Sequence, residues 1–496
     1  MLLCLPVLTG LVSSCILKKN TAASRNYTAF ITRYNIYFNG DEHYKTTLAT
    51  LEKDYADDYS RRLFMHPAEA HGDITAPKPS GDFKRSIEKA QKSIQLRSIK
   101  RRPARKPGKG NDPEYKAWLK REEYNPFLHN AWMMMARSQY MNGDFSGAAS
   151  TFFYISKHFW WLPATVTEAK LWQARCYLAI DWLFEAESIM SLIHEKDLTS
   201  NKLRALYNFD WADYYMRSGR DTEAIPFLKL ARQAAKGPQR TRLTFLLGQL
   251  YEQTGQRDSA YMAFKKVGST SSASYRTRFN ARIKQSEVFG GDDIAKEVKD
   301  LKSMARQRRN KEYLDQLYYA IGNLYLSRSD TTQAIDNYKL AVARSTRAGI
   351  DKAVAQMALG KLYFRQGRYD LAQPCYSEAI PLLPVTYPDY MRLKRESDVL
   401  DELAVYSQNV TLQDSLLELS KLPVEEQRKV AERLAEELKQ REKKEAEDAA
   451  REAYLAEQEA RGTGLNLGSS ASSAPTAFVM NTDNSWYFYN EGTRNA

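Results

Sequence analysis

The chain has 496 residues, 43% hydrophobic and 12% aromatic, with a formal charge of +13 and a mean hydropathy of -0.59. That balance excludes a polytopic membrane protein, and the apolar and aromatic content excludes a wholly disordered chain. Four cysteines exclude a disulfide scaffold, and six scattered histidines argue against a multi-metal enzyme.

Residues 1–14 form an apolar run with no charged residue before Lys18. The run is too short to span a bilayer and reads as a secretory leader. Val12-Ser13-Ser14-Cys15 puts small residues beside the cut and then a thiol. This resembles a bacterial lipobox, in which the cysteine is acylated, so Cys15 is the expected lipid attachment. Cys4 then leaves with the leader, and Cys176 and Cys375 are expected as free thiols.

Residues 15–65 read as an N-terminal helical hairpin cap broken at Asn39-Gly40. Residues 66–124 read as a basic loop with one short helix, whose apolar residues Phe83, Ile87, Ala90 and Ile94 recur at helical spacing. Lys78 to Lys109 holds twelve Lys/Arg against Asp82 and Glu88, a net +10 of the chain's +13. No nucleic-acid motif accompanies this charge, and Arg101–Gly110 is rich in Pro and Gly, so a solvated loop is expected. Removal of Lys78–Gly110 is expected to leave folding intact.

From 125 to 420 the chain repeats. Small residues stand at Ala136, Ala174, Ala212, Gly248, Gly322 and Gly360, at intervals of 38, 38, 36, 74 and 38. Twelve residues after each stands Ala148, Ala186, Ala224, Ala260, Ala334 and Ala372. Seven after come the turn candidates Gly143, Asp181, Gly219, Gly255, Ser329 and Gly367. Sixteen after come Phe152, Met190, Leu228, Phe264, Tyr338 and Tyr376. Small residues on two helices let their backbones approach, and a large one fills the space between modules. This is the tetratricopeptide pattern, slightly longer than its usual 34 residues. The double interval should hide a degenerate unit near Ile283 and Ala295, making about seven units.

Residues 421–461 carry ten basic and twelve acidic residues and read as a charged helix. Residues 462–477 read as a flexible linker rich in serine and glycine, and 478–496 as an aromatic C-terminal segment. The expected fold is all-α: a tetratricopeptide-repeat superhelical solenoid with a charged helical tail and a mostly flexible C-terminal end.

No catalytic constellation emerges. His194-Glu195 lacks a second histidine, since Leu198 stands there, and Gly360-Lys361 lacks the rest of a phosphate loop. His66, Glu69, His71 and Asp73 cluster without the spacing of a metal site. No cofactor, metal or catalytic residue is expected. Trp132, Trp172 and Trp211 fall on core registers. Trp160, Trp161 and Trp182 fall at turns and are candidate partner-binding residues, because aromatic anchors dominate interfaces. Trp486, Tyr487, Phe488 and Tyr489 are further candidates, since such a cluster is costly to leave exposed.

The stretch Lys18–Lys45 directly after the lipobox cysteine, the repeats, the charged helix and the late WYFYN motif at Trp486–Asn490 together resemble the PorW/SprE lipoproteins. That family belongs to the type IX secretion and gliding-motility machinery of the Bacteroidota. The resemblance implies a lipid-anchored outer-membrane protein facing the periplasm, whose partners are the secretion translocon and the periplasmic ring or motor components. No nucleic-acid partner is expected, because no nucleic-acid motif accompanies the basic stretch. The residues themselves point to a non-enzymatic protein–protein scaffold. The alternative is a glycan-binding nutrient-uptake lipoprotein with similar helices.

Overall fold

Alanine or glycine at the crossing of two helices sets how closely their axes approach, and this chain repeats that device along its length. The computed structural model describes residues 20–462 other than 60, 292, 347–348, 386 and 388. Among the described residues every regular element is helical. The described residues divide into two compact units, one up to Asp351 and one from Lys352 to 462.

In the first unit six helical hairpins follow one another. They are α5/α6 (Leu128–Met141, Phe145–His158), α7/α8 (Pro163–Ala179, Leu183–Met190) and α9/α10 (Asn201–Arg217, Asp221–Ala234). Then come α11/α12 (Gly237–Gln253, Arg257–Gly268), α13/α14 (Tyr275–Glu287, Ala295–Ala305) and α15/α16 (Leu314–Leu326, Thr331–Arg344). Ahead of them stand α1 (Ala22–Thr32), α2 (Phe38–Asp54), α3 (Lys84–Arg97) and α4 (Pro113–Leu119). The second unit holds the hairpin α17/α18 (Ile350–Arg365, Tyr369–Ala379) and two long helices, α19 (Tyr390–Ser420) and α20 (Val424–Gly462).

The six turn candidates explain why the hairpins close. Gly143, Asp181, Gly219, Gly255, Ser329 and Gly367 all take left-handed φ between 58° and 83°. In each turn the following N–H reaches back five residues. Asp144 bonds to the Gln139 carbonyl, Trp182 to Tyr177, Arg220 to Tyr215, Gln256 to Tyr251, Asp330 to Tyr325 and Arg368 to Tyr363, at 2.8–3.1 Å. This is the Schellman closure, which satisfies carbonyls the helix end leaves without partners.

All twelve small repeat positions are buried. Where the first is glycine, an aromatic ring lies flat in the space a side chain would take. A Cβ on Gly248 would sit 2.7 Å from Phe264, one on Gly360 would sit 2.9 Å from Tyr376, and one on Gly322 would meet Tyr338. The degenerate unit is α13/α14. There Ala281 and Ile283 are buried, but Ala295 is exposed at the start of its helix, so that hairpin lacks the paired small positions.

Three expectations are corrected. The N-terminal segment does not break at Asn39-Gly40; α1 passes through one π-turn, Arg33–Tyr37, into α2. Gly40 is a crossing glycine: its Cβ would lie 2.7 Å from Met134 Cε and 2.9 Å from Lys89 Cβ. The basic stretch is only partly a solvated loop. Helix α3 buries Ser86, Ala90 and Ser93, Phe83 is buried at its N-cap, and the helix packs against α2 and α5. Ser86 Oγ donates to the Gly40 carbonyl (3.0 Å). Excision of Lys78–Gly110 would therefore open the core rather than spare it. Residues 390–420, placed within the repeat region by sequence, form the single helix α19.

Cys176 is buried in the core around α5–α7, and Cys375 is half-buried; both are free thiols. Among the described residues no helix is long and apolar enough to cross a membrane.

Candidate interaction groove

Between α2 and a short 3-10 turn (Pro67–His71) the chain has no regular structure, yet it is held along the first helices of three hairpins. We call residues 55–73 the strap. Charged and aromatic side chains are interspersed along it, and Asp57, Tyr59, Arg62 and Glu69 each find a partner roughly 150 to 220 residues away.

At the α11/α13 end, Asp57 and Arg242 form a buried ion pair. Arg276 Nη2 donates to the Asp57 carbonyl (2.7 Å). The Tyr59 ring packs edge-on to Phe245 at 4.9 Å, and its hydroxyl donates to Thr277 Oγ1 (2.8 Å). Burial pushes the Tyr59 phenol well above its ordinary range, so it stays a donor.

At the centre, one side chain holds the strap by its main chain. Gln249 Nε2 donates to the Arg61 carbonyl (2.8 Å), while Gln249 Oε1 accepts from the Leu63 N–H (3.1 Å). An amide carries one donor face and one acceptor face, so it matches an extended peptide whatever the side chains there. Arg62 crosses to α9, α10 and the end of α11. It donates to the Met216 carbonyl (3.0 Å), Asp221 Oδ2 (2.6 Å) and Gln253 Oε1 (2.6 Å). Gln239 Nε2 donates to the Met65 carbonyl (2.6 Å).

At the α7/α9 end, the 3-10 turn lowers Glu69 into a buried charge cluster. Glu69 lies 3.3 Å from Arg217, which also pairs with Asp213 (3.0 Å) and Asp181 (2.7 Å). Deeper, Arg175 pairs with Asp210 at 2.7 Å and lies over the Phe209 ring at 4.0 Å. Burial, with Asp213 adding repulsion, pushes Glu69 up to about 8 despite the Arg217 contact. Burial pushes Asp210 up to about 7, with Arg175 opposing. Burial thus favours the protonated form of Glu69, against the pull of Arg217.

The four residues that cluster in sequence, His66, Glu69, His71 and Asp73, go to separate partners. His66 caps the 3-10 turn through the Ala68 N–H (3.1 Å), Glu69 meets Arg217, His71 packs against Gly143, and Asp73 pairs with Arg61. No cluster able to hold a metal occurs among the described residues.

Trp160 and Trp182 stand exposed at the turns before α7 and α8. Trp161 is half-buried against the core, with the Arg121 guanidinium 5.1 Å above its ring. Trp172 is buried and stacks on Phe152 at 5.8 Å; Trp132 and Trp211 are half-buried. Cys15, Trp486, Tyr487, Phe488 and Tyr489 lie outside the described residues.

Sequence reasoning missed Asp57, Arg62, Arg242 and Gln249. None shows a periodicity, and each resembles a surface residue until its distant partner is known. One signal was available: Tyr55–Met65 is a charged, aromatic run with no helical or strand period, the composition of a bound peptide.

A tetratricopeptide-repeat family model matches residues 313–384. No curated protein sequence matches the chain. Solved structures similar to it include a signal-transduction ATPase with numerous domains and a tetratricopeptide repeat sensor from Pyrococcus horikoshii. It is 14% identical, with 67% of this chain and 50% of that one covered and a TM-score of 0.32. BtubC from P. vanneervenii is 13% identical, with 64% and 89% covered and a TM-score of 0.19. The P58(IPK) tetratricopeptide domain is 12% identical, with 66% and 94% covered and a TM-score of 0.18. The chain spans half the length of the first of these. The fold is all-α and of the tetratricopeptide-repeat type, a scaffold for protein–protein interaction.

Proposed function

We propose that the protein is a non-enzymatic adaptor: an outer-membrane lipoprotein, anchored through Cys15 and facing the periplasm. In this reading it joins the type IX secretion translocon to the periplasmic ring or motor components and serves gliding motility. The observation that carries the adaptor reading is the Gln249 clamp on the strap. The first helices of these hairpins carry groups that hold extended polypeptide by its main chain, as peptide-binding grooves do. Exposed Trp160 and Trp182, at the turns on either side of α7, add aromatic anchors. The lipobox at Val12–Cys15 and the WYFYN motif support the membrane and secretion parts of the reading.

Crosslinking in cells followed by affinity capture and mass spectrometry tests the adaptor role. Translocon or motor subunits are expected among the products, and their absence from a crosslinked, correctly fractionated sample would refute it. After a high-salt wash, which screens charge-based contacts, Cys15→Ser is expected to move the protein from the membrane to the soluble periplasmic fraction. Retention through that wash equal to the wild type's would refute the anchor.

A further inference from the structure

Helix α1 and its continuation are built inside out. The face turned to the protein carries small polar residues four apart, Ser24, Thr28 and Thr32, all buried. Thr32 Oγ1 accepts from Asn125 Nδ2 (3.1 Å). The face turned to solvent carries Tyr27, Phe30, Tyr34 and Phe38, at 41%, 61%, 57% and 50% exposure. Their spacing of 3, 4 and 4 makes one stripe, and the Phe30 and Tyr34 rings touch at 4.9 Å. A surface helix ordinarily turns its rings inward, so this face is shaped for something other than water. From Tyr27 to Phe38 there is no acidic residue, and Arg33 lies against the Tyr34 ring at 5.1 Å.

The same end of the unit carries the exposed part of the basic stretch. Asn20 Nδ2 donates to the Arg101 carbonyl (2.6 Å), which ties that loop to the start of α1. Arg25, one turn into α1, donates to Asn20 Oδ1 (2.7 Å) and lies over Trp118 of α4 at 5.0 Å. From Arg101 to Lys109 the loop exposes Arg101, Arg102, Arg105, Lys106 and Lys109. The nearest acid, Asp112, pairs with Lys109 and caps α4. Asn20 stands five residues after Cys15. That is at most about 17 Å of extended chain.

We propose that the aromatic stripe and the Arg101–Lys109 loop form a membrane-contact face whose occupant is an anionic phospholipid bilayer surface. Tyrosine and phenylalanine seat at the boundary between headgroups and acyl chains, and the loop meets headgroup phosphates. Charge and position select this occupant: the face is cationic and aromatic, and it lies within a short tether of the lipid-bearing cysteine. Lipidation by itself holds a chain without orienting it; a second, structured contact lays α1 along the bilayer and fixes which way the first hairpins point. The inference rests on the lipoprotein reading for the nearness of the bilayer, not for the chemistry of the face.

The test uses the full chain carrying Cys15→Ser, so that no acyl chain contributes. Partition onto vesicles of phosphatidylcholine alone is compared with partition onto vesicles containing phosphatidylglycerol. The readout is the excess on the anionic vesicles, which the uncharged leader does not supply. An excess of roughly tenfold or more is expected, shrinking as salt screens the loop. Both the triple variant Phe30→Ser/Tyr34→Ser/Phe38→Ser and the triple variant Arg102→Glu/Arg105→Glu/Lys106→Glu are expected to abolish it. Both sets alter exposed side chains only, and an unchanged thermal melt checks that the fold stands. Equal partition on the two vesicle types would overturn the proposal, as would variants that bind like the parent. So would a stripe variant that converts a dimer into a monomer and leaves vesicle binding intact. Mass spectrometry of the wild-type chain separates the two readings. An unmodified Cys15 with retained anionic binding refutes the anchor alone. An acylated Cys15 with no anionic excess refutes the membrane face alone.

Discussion

The clamp made by Gln249 offers the sharpest test of the groove. In Gln249→Ala the Leu63 N–H and the Arg61 carbonyl lose their partners while staying against α11. Each buried backbone group left unpaired costs about 1–3 kcal/mol, but the strap has an escape that a core strand lacks: it can lift and take water. The loss in docking free energy is therefore expected at about 2–3 kcal/mol, a 30- to 150-fold increase in local opening. Hydrogen exchange read at the Leu63 amide reports that opening directly, and the amides of α9 and α11 serve as internal controls. Gln253→Ala, which removes one contact to the exposed end of Arg62, is expected to change Leu63 exchange by less than about fivefold, in line with a partly exposed hydrogen bond. Unchanged Leu63 exchange in Gln249→Ala would refute the clamp. Equal acceleration of every helix would show that strap and hairpins open only together, and would refute separable docking.

Three further outcomes follow from particular contacts. Glu69 binds its proton more tightly in the native chain than its ordinary 4.5 allows, so stability should fall as pH rises from about 4.5 to about 8 and then level off; in Glu69→Gln, urea midpoints across that range should lose most of this slope, and an unchanged slope would assign it elsewhere. Gly248→Ala gains about 1 kcal/mol of helix propensity but drives a methyl into the buried Phe264 ring, so a net loss of about 1–2 kcal/mol is expected in chemical unfolding, and any gain would contradict the crossing geometry. Phe83→Ala should cost about 3–5 kcal/mol if α3 is part of the core; a loss under 1 kcal/mol would restore the solvated-loop reading of the basic stretch.

The hairpins were legible because their constraints are local and repeat. A Schellman turn needs a residue that tolerates left-handed φ at one position, and Gly143, Gly219, Gly255 and Gly367 mark it, with Asp181 and Ser329 substituting. A glycine crossing needs a flat ring sixteen residues on, and Phe264, Tyr338 and Tyr376 supply it. The same glycine logic misled at Asn39-Gly40, where the residue pair looks like a turn. Only the crossing of α3 and α5 over α2 shows that Gly40 is required for space rather than for φ. Charge misled in the basic stretch. Lys and Arg on the outer face of α3 dominate its composition, while Phe83 and Ala90 on the inner face decide where it sits. The strap was out of reach for a different reason. Asp57 and Arg242, or Leu63 and Gln249, are separated by more than 180 residues, and no local pattern records such a pairing.

The strap also sets terms for any peptide that enters the groove over α9, α11 and α13. Because it is tethered at both ends, its local concentration is in the millimolar range or above, and it returns whenever a competitor leaves. A partner must bind the lifted state, so its apparent affinity is its intrinsic affinity reduced by the fraction of chains that are open. If the strap docks by about 3 kcal/mol, that reduction is roughly 150-fold. A micromolar peptide would then bind only above 100 micromolar, unless it displaced Arg62 and Asp57 with equivalent charges of its own. Strap mutants such as Arg62→Ala, which raise Leu63 exchange without altering the groove, should therefore raise competitor affinity by the same factor, because both quantities report one equilibrium. Partners that bind without that correlation use surfaces the strap does not cover, and exposed Trp160 and Trp182 are the first places to look.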